Sequence, residues 1–299
     1  MFAEGSARSA DAELPDLVQI LTLRSLGQDR FASAAAQTNR NNFIFGGQLL
    51  AQALSAAAQT VAGKEPHALH ASFEFPATAT RSLVYSVQRG RDGRSLAHRH
   101  VKARQGGHSV LSADVSFSAR EDGFEHQSTW ASEPPDPDTL PDLSVLASRY
   151  ETHVSGHGKG RLACYPQLEV RPIDIEEHLL LRPGAPASRI WMRAIGLTPG
   201  GAIDWTAVLT YLSDYLLVNA ALIPHIRQLP DEHLFVASLN HAVWFHGVAD
   251  PSQWLLYETQ SNWAGQGRAL IHGRFYSQSG SLIASVAQEA MIRVRRPVK

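Results

Sequence analysis

An aspartate lies inside an apolar run in the second half of the chain, in a setting that favours chemistry. The run reads YLSDYLLVNAALI over residues 211–223, and helical spacing places Asp214 on one face with apolar side chains. Burying an unpaired polar group costs about 2–7 kcal/mol, so this carboxyl is expected to be hydrogen-bonded or to have a raised pKa. A carboxyl with a raised pKa can accept a proton from water near neutral pH.

A structural explanation of the same aspartate stays open. Ser and Asp are favoured at helix N-termini, so Ser213 or Asp214 could cap a helix that begins here. The preceding residues DWTAVLTYLSD also allow the helix to begin at Asp204, which would then be the cap. The two explanations are compatible, since a helix N-terminus also holds anions.

Two neutral polar residues in strand-like segments could accompany the carboxyl. In FVASLNHAVWFH (235–246), alternation places Ser238 and Asn240 on one face, which ordinary structural pairing would also explain. Gln288 lies among apolar neighbours on its own face of a later segment, and a lone Gln is often structural as well. A hydroxyl and an amide next to Asp214 would orient a water molecule.

Other motifs fit known sites poorly. GRSLA (93–97) misses the last glycine of a nucleophile elbow, and GHGKG (156–160) has no strand before it or helix after it, as a phosphate loop requires. The single cysteine, Cys164, has no partner for a disulfide or a metal site. No set of carboxylates or cysteines at ligand spacing accompanies the paired histidines, which are His67 with His70 and His98 with His100.

Composition excludes several classes of function. The 27 Lys and Arg residues nearly balance the 28 Asp and Glu residues, for a net charge of −1, so no basic field is available for nucleic acid or an anionic membrane. No stretch reaches the ~18 apolar residues of a membrane span, and the N-terminus has no secretion signal. We therefore expect a cytoplasmic protein.

The same order of elements occurs twice along the chain. In each half an apolar helix-like run precedes several alternating strand-like segments with glycine-containing turns. The offset drifts only from 167 residues at the first match to 172 at the last, as an internal duplication predicts. The matches are Leu49 and Leu50 with Leu216 and Leu217, His70 and Ala71 with His241 and Ala242, Tyr85 with Tyr257, Gly93 with Gly265, and His100 with His272.

An apolar helix must be enclosed, and a curved antiparallel sheet wrapped round it does so. We therefore predict an α+β fold in which a helix is wrapped by such a sheet, twice. The predicted units are residues 1–120 and 166–299, joined by a linker over 121–165 that is rich in proline, acids and glycine.

Seven stretches of the chain occur in an order known from one family: FGGQLLAQAL (45–54), GRDGRSLAHRHV (90–101), GFEHQ (123–127), LEVRP (168–172), YLSDYLL (211–217), NHAVWFH (240–246) and GRFYSQSGSLIASVAQEAMIR (273–293). Together they resemble the type II acyl-CoA thioesterases, the TesB-like family, and the resemblance covers nearly the whole chain after about residue 17. Members of this family carry two hotdog units in tandem, so the resemblance implies a double hotdog fold.

The resemblance also implies an activity and its residues. The family hydrolyses fatty acyl-CoA without a metal, a covalent cofactor or a covalent intermediate, so the resemblance implies none here. It uses an Asp, a Thr or Ser, and a Gln that hold water; these correspond to Asp214, Ser238 and Gln288. Ser238 stands where a Thr is often found, and Asn240 where the family can have an Asp. FEFPATA (73–79) departs from the family's usual Arg-Pro-Gly run, which concerns contacts to the substrate. Family members also form homo-oligomers, which we expect here.

The duplication suggests that one half-site has lost its function. Gly47 falls opposite Asp214, and His67 and Ser116 fall opposite Ser238 and Gln288. We therefore expect one productive site per chain. Its oxyanion donors would be the backbone amides of Gly46, Gly47 and Gln48, with His67 as an auxiliary candidate.

Two other functions fit the same fold. A hydratase would need a His close to the Asp in sequence, but none follows Asp214 within ten residues. A non-catalytic protein that binds acyl chains would not need the three polar residues. Several arginines could contact the phosphates of coenzyme A, although surface solvation is the favoured explanation for any one of them: Arg89, Arg91, Arg94, Arg268 and Arg274.

Overall fold

The computed structural model describes residues 16–39, 42–150, 152, 167–197, 204–228 and 234–294. The GHGKG motif and Cys164 lie outside these residues. The described helices are α1 (Leu17–Leu21), α2 (Gly46–Ala58), α3 (Leu143–Tyr150), α4 (Ile175–His178), α5 (Trp205–Ser213) and α6 (Asn219–Leu222), with short 3-10 helices at Pro137–Thr139 and Ile223–Gln228. The described strands are β1 (Leu23–Gly27), β2 (Arg30–Ser33), β3 (Glu65–Phe73), β4 (Val84–Asp92), β5 (Leu96–Gln105), β6 (His108–Ser118), β7 (Leu168–Pro172), β8 (Ala187–Ala194), β9 (Leu234–Ser238), β10 (Asn240–Phe245), β11 (Leu255–Gly265), β12 (Arg268–Ser277) and β13 (Leu282–Val294).

The strands form one antiparallel sheet in the order β1-β2-β4-β5-β6-β3-β10-β13-β12-β11-β8-β7, with β9 also paired to β13. Strands β1–β6 enclose α2, and β7–β13 enclose the second apolar helical segment, which confirms the predicted double hotdog. Tyr85 and Tyr257 occupy equivalent buried positions, and their strand partners Ala103 and Phe275 keep the same offset of 172 residues.

The two units join edge to edge through β3 and β10. The pairing runs from Ser72 opposite Asn240 to Ala68 opposite Trp244. One match of the internal alignment is wrong here, because His70 is exposed whereas His241 is buried. Since successive strand residues face opposite sides, a slip of one residue in the alignment pairs side chains of opposite faces.

The second apolar helix is broken where the sequence predicts a continuous one over 211–223. Helix α5 ends at Ser213, Asp214 is its C-terminal cap residue, and Leu216 adopts a left-handed conformation with φ +57°. Asp204 caps the N-terminus of α5 by accepting a hydrogen bond from the Thr206 N–H at 2.9 Å. The alternative that Ser213 or Asp214 caps the helix N-terminus is therefore wrong.

The segment between the units contacts the outer face of the second one. The Trp191 indole N–H donates to the carbonyl oxygen of Pro135 at 2.9 Å, and Trp130 packs against Tyr276 with ring centroids 6.2 Å apart. Helix α3 buries Leu143 and Leu146. These contacts hold part of the predicted linker in place.

Candidate active site

Asp214 lies where the C-terminal end of α5 meets the N-terminal end of α2. The Gly47 N–H donates a hydrogen bond to its carboxylate. A Cβ on Gly46 would lie 2.6 Å from Asp214 Oδ2, and a Cβ on Gly47 would collide with the carbonyl oxygen of Tyr211. The two glycines are therefore needed for the close approach of the helix ends that surrounds the carboxylate.

The structure brings Ser238 and Gln288 to the same carboxylate. The Ser238 hydroxyl, at the end of β9, donates to Asp214 Oδ1 at 3.3 Å. The side chain of Gln288, which is 2% exposed on β13, is a second hydrogen-bond partner of Asp214. The three sequence-predicted side chains thus converge from one helix end and two strands, with hydrogen-bonding groups arranged around one acid.

Burial raises the pKa of Asp214 from 3.8 to about 7. The hydrogen bonds from Ser238, Gly47 and Gln288 favour the carboxylate and act in the opposite direction, but desolvation is the larger effect. The residue nevertheless keeps a partly exposed surface. Asp214 is therefore divided between its acid and base forms near neutral pH in a place that solvent can reach, as a general base requires.

The prediction that Ser238 and Asn240 share a face is wrong. The strand breaks at Leu239, whose N–H donates to the Glu289 carbonyl oxygen, and the side-chain alternation shifts by one residue there. Asn240 is exposed, and its Oδ1 accepts from the Glu289 N–H at 3.0 Å. Because of the break, His241 faces inward together with Ser238.

Sequence reasoning missed His241 and Ser213 as neighbours of the site. His241 Nδ1 lies 2.5 Å from Gln288 Oε1, and His241 Nε2 lies 2.8 Å from Ser213 Oγ. The Tyr257 hydroxyl donates to the Ser213 carbonyl oxygen at 2.6 Å. The only signal for His241 was its place in the strand, and uninterrupted alternation would have turned it away from Ser238.

The remaining predicted residues have different surroundings. The Gln48 side chain is buried and donates to the Ala35 carbonyl oxygen at 2.7 Å, and its backbone N–H donates to the Phe45 carbonyl oxygen at 3.1 Å. His67 lies on β3 six residues before Phe73, which borders Gly46, a separation of about 20 Å along an extended strand. The structure does not bring His67 to Asp214.

Two of the arginines considered for coenzyme A have carboxylate partners. Arg89 pairs with Asp29 at 2.7 Å, and Arg268 pairs with Glu289 at 2.7 Å.

Within the described ranges, His, Cys, Asp and Glu side chains form no group of three or more that could hold a metal ion. Among the helices described, none has the length and apolar character to cross a membrane.

In a comparison with known proteins, each of the two units matches a family description. The family description "Acyl-CoA thioesterase" matches residues 168–291, and "Acyl-CoA thioesterase N-terminal domain" matches residues 35–118. The chain is 33% identical to acyl-coenzyme A thioesterase 8 of Homo sapiens, with 93% of this chain and 89% of the relative covered. It is 32% identical to acyl-CoA thioesterase 2 of Haemophilus influenzae, with 94% and 98% covered.

A solved structure extends the likeness to three dimensions. The crystal structure of acyl-CoA thioesterase II TesB2 from Mycobacterium marinum matches with a TM-score of 0.74 and 30% identity. The match covers 94% of this chain and 98% of that one. With both units matched to family descriptions and relatives above 30% identity over most of its length, the chain belongs to the acyl-CoA thioesterase family.

Proposed function

We propose that this thioesterase hydrolyses fatty acyl-CoA by direct attack of a water molecule that Asp214 deprotonates. The observation that carries the proposal is a partly exposed carboxyl with a pKa of about 7 and hydrogen bonds from Ser238 and Gln288. A base is most effective when its pKa lies near the working pH. The two neutral side chains hold the water in line with the thioester carbonyl.

The reaction then balances without a covalent enzyme intermediate. Asp214 takes one proton from water while the water oxygen bonds to the thioester carbon, which gives a tetrahedral oxyanion. The oxyanion collapses and the carbon–sulfur bond breaks. The thiolate of coenzyme A takes the proton back from Asp214, so the products are a fatty acid and free coenzyme A. These steps need no metal and no cofactor beyond the coenzyme A of the substrate.

The N-terminal end of α2 supplies the oxyanion donor in this proposal. Of the three candidate amides, Gly47 donates to Asp214 and Gln48 donates to the Phe45 carbonyl oxygen. Gly46 is the first residue of the helix, where an N–H has no acceptor within the helix. We therefore assign the oxyanion to the Gly46 N–H.

One productive site per chain follows from the composition of the two helices. Helix α2 carries no acidic residue, and Gly47, the counterpart of Asp214, serves as a donor to that carboxylate.

A hydratase mechanism is disfavoured because both ring nitrogens of His241 are engaged, by Gln288 and Ser213. A His with no free nitrogen cannot exchange a proton with substrate.

Release of free thiol from a series of acyl-CoA chain lengths tests the proposal. We expect steady turnover on at least part of the series, and intact-protein mass spectrometry of samples quenched during turnover should find the chain unacylated. An acylated chain would replace direct water attack by a covalent mechanism. A chain that binds acyl-CoA but releases no thiol would be the non-catalytic alternative.

The pH profile should report the Asp214 carboxyl. Because the base form is the active one, kcat/KM is expected to rise about tenfold per pH unit below pH 7 and to level off above it. The measurement is initial-rate kinetics between pH 5 and 9 in buffers of constant ionic strength. A flat profile through pH 7 would show that the ionisation of Asp214 does not limit the reaction.

Ser238 should support the carboxylate through its single hydroxyl. Ser238→Ala is expected to lower kcat by roughly tenfold to a hundredfold, the effect of losing a hydrogen bond to a charged group. Because this hydrogen bond lowers the pKa of Asp214, the midpoint of the pH profile should also move upward. Ser238→Thr keeps the hydroxyl and is the matched control. If both variants lose activity equally, the hydroxyl is not the cause.

The two edges of the sheet are places where further copies of the chain can associate. Strands β1 and β7 end the sheet within the described chain, and exposed sheet edges favour further association. We propose a homo-oligomer in the cytoplasm, which light scattering of the purified protein and cell fractionation would test.

A further inference from the structure

We propose that His241 is a positioning residue of this site, which orients the Gln288 amide so that its NH₂ group faces Asp214 and the attacking water. The ring nitrogens of His241 bond to Gln288 and Ser213 rather than to the carboxylate, and this inference rests on the proposed function. His241 acts only through the amide it holds.

The contacts form a closed loop of hydrogen bonds beside the carboxylate, which runs from Asp214 through Gln288, His241 and Ser213 and back to Asp214 along the chain. Gln288 bonds to Asp214 on one side and to His241 Nδ1 on the other, at 2.5 Å. His241 Nε2 lies 2.8 Å from the hydroxyl of Ser213, the residue before Asp214 in the chain. His241 is 1% exposed, and Ser213 is fully buried. This loop of hydrogen bonds therefore links β10, β13 and the end of α5 in a place that water does not reach.

The chemistry of the Gln288 amide fixes the direction of its hydrogen bond to His241. Gln288 Oε1 has no proton to donate, so His241 Nδ1 must carry the ring proton. Burial lowers the pKa of His241 to about 4, against a hydrogen bond to Gln288 that raises it, so the imidazole is neutral at neutral pH and Nε2 is an acceptor. The one proton of the Ser213 hydroxyl is shared between His241 Nε2 at 2.8 Å and the Thr210 carbonyl oxygen at 2.7 Å.

This direction determines what Gln288 offers to the carboxylate. With Oε1 held by the Nδ1–H of His241, the NH₂ group of Gln288 is directed to Asp214, where it stabilises the base form and can also orient water. The reverse orientation would place Oε1 against the carboxylate, which brings two acceptors together. Tyr257 also holds Ser213 in place, because its hydroxyl donates to the Ser213 carbonyl oxygen at 2.6 Å.

A matched pair of amide variants separates positioning from general packing. An asparagine at 241 can place an N–H near the position of Nδ1, whereas a glutamine reaches the position of Nε2. We expect His241→Asn to keep kcat within about threefold of wild type, and His241→Gln to lose about 10- to 100-fold with KM changing less than about twofold. Equal kcat for the two variants would overturn the proposal, because packing alone does not distinguish them.

A double-mutant cycle tests whether the effect passes through Gln288. Gln288→Met removes the amide at similar volume, and we expect His241→Leu to lower kcat about 10- to 100-fold alone but less than about twofold in that background. Additive losses would overturn the proposal. Thermal melts identify variants that do not fold, in which case the asparagine and glutamine pair decides.

Asp214→Asn, measured alongside, keeps the two proposals distinguishable. If Asp214→Asn is inactive while His241→Leu turns over like wild type, the positioning role alone fails. If Asp214→Asn turns over normally, the assignment of the base fails, whatever the result at His241.

Discussion

Replacing Asp214 by asparagine is expected to lower kcat by about 10²- to 10⁴-fold, the range by which a positioned general base accelerates proton transfer. Asparagine has nearly the shape of the carboxyl group and its one amide oxygen can still accept from Ser238, but its NH₂ group then faces the other donors, which are the Gly47 N–H and the Gln288 amide. KM is expected to change little, since the lost group acts on water. Free-thiol release with saturating acyl-CoA measures the effect.

The stability of the same variant relative to wild type should depend on pH, which separates lost chemistry from lost folding. Burial raises the folded-state pKa of Asp214 to about 7, above its ordinary 3.8, so the folded chain holds this proton more tightly than the unfolded chain. Its contribution to stability is therefore present below about pH 4 and is lost as the pH rises through 7. Asparagine cannot ionise, so the Tm of the variant relative to wild type is expected to be higher above pH 7 than at pH 4, by about 2 °C for each ~1 kcal/mol.

Two outcomes would contradict this assignment. Normal turnover by a folded Asp214→Asn variant would exclude Asp214 as the base. A difference in Tm between variant and wild type that is the same at pH 5 and pH 8 would mean that the folded chain does not hold this proton more tightly than the unfolded chain. The difference should instead grow as the pH rises from about 4 and level off near the pH at which kcat/KM levels off.

The sequence identified the acid because its setting is local. Asp214 interrupts an apolar helical pattern, and Gln288 interrupts an apolar strand face, so each stands out within a few residues of chain. The two units, each a helix wrapped by a sheet, could also be predicted, since a duplicated order of elements is visible without knowledge of distances. Equivalent buried tyrosines at 85 and 257 show that the offset of the duplication was right in β4 and β11, although it was wrong by one residue in β3 and β10.

What the sequence could not predict depends on single backbone irregularities. The break at Leu239 reverses the alternation, and it separates Asn240 from Ser238 and turns His241 inward. Helix α5 ends at Ser213 and Leu216 adopts a left-handed conformation that leucine does not favour, so local sequence preference does not predict this break. A period-based prediction assumes an unbroken period, so it fails where the site departs from regular structure.

The second large effect is expected from one methyl group at Gly46. In Gly46→Ala the new Cβ would lie 2.6 Å from Asp214 Oδ2 and 3.3 Å from the Phe73 ring, closer to the oxygen than real Cβ atoms come. The carboxylate must shift by a good part of an ångström, which displaces the base from the water held by Ser238 and Gln288. A misplacement of this size costs about 10²-fold in rate, so we expect kcat to fall by about that factor.

The free energy of unfolding of Gly46→Ala should not fall in proportion to its kcat. Alanine is favoured over glycine in helices by up to ~1 kcal/mol, which offsets part of the strain at the first residue of α2. Gly123→Ala is the matched control, because a Cβ there meets nothing within 4 Å, and its kinetics and Tm should equal those of wild type. If Gly46→Ala loses activity only in proportion to its unfolded fraction, the close approach serves folding. If it loses kcat while fully folded, the glycine is needed because the carboxylate occupies the space that any side chain would fill.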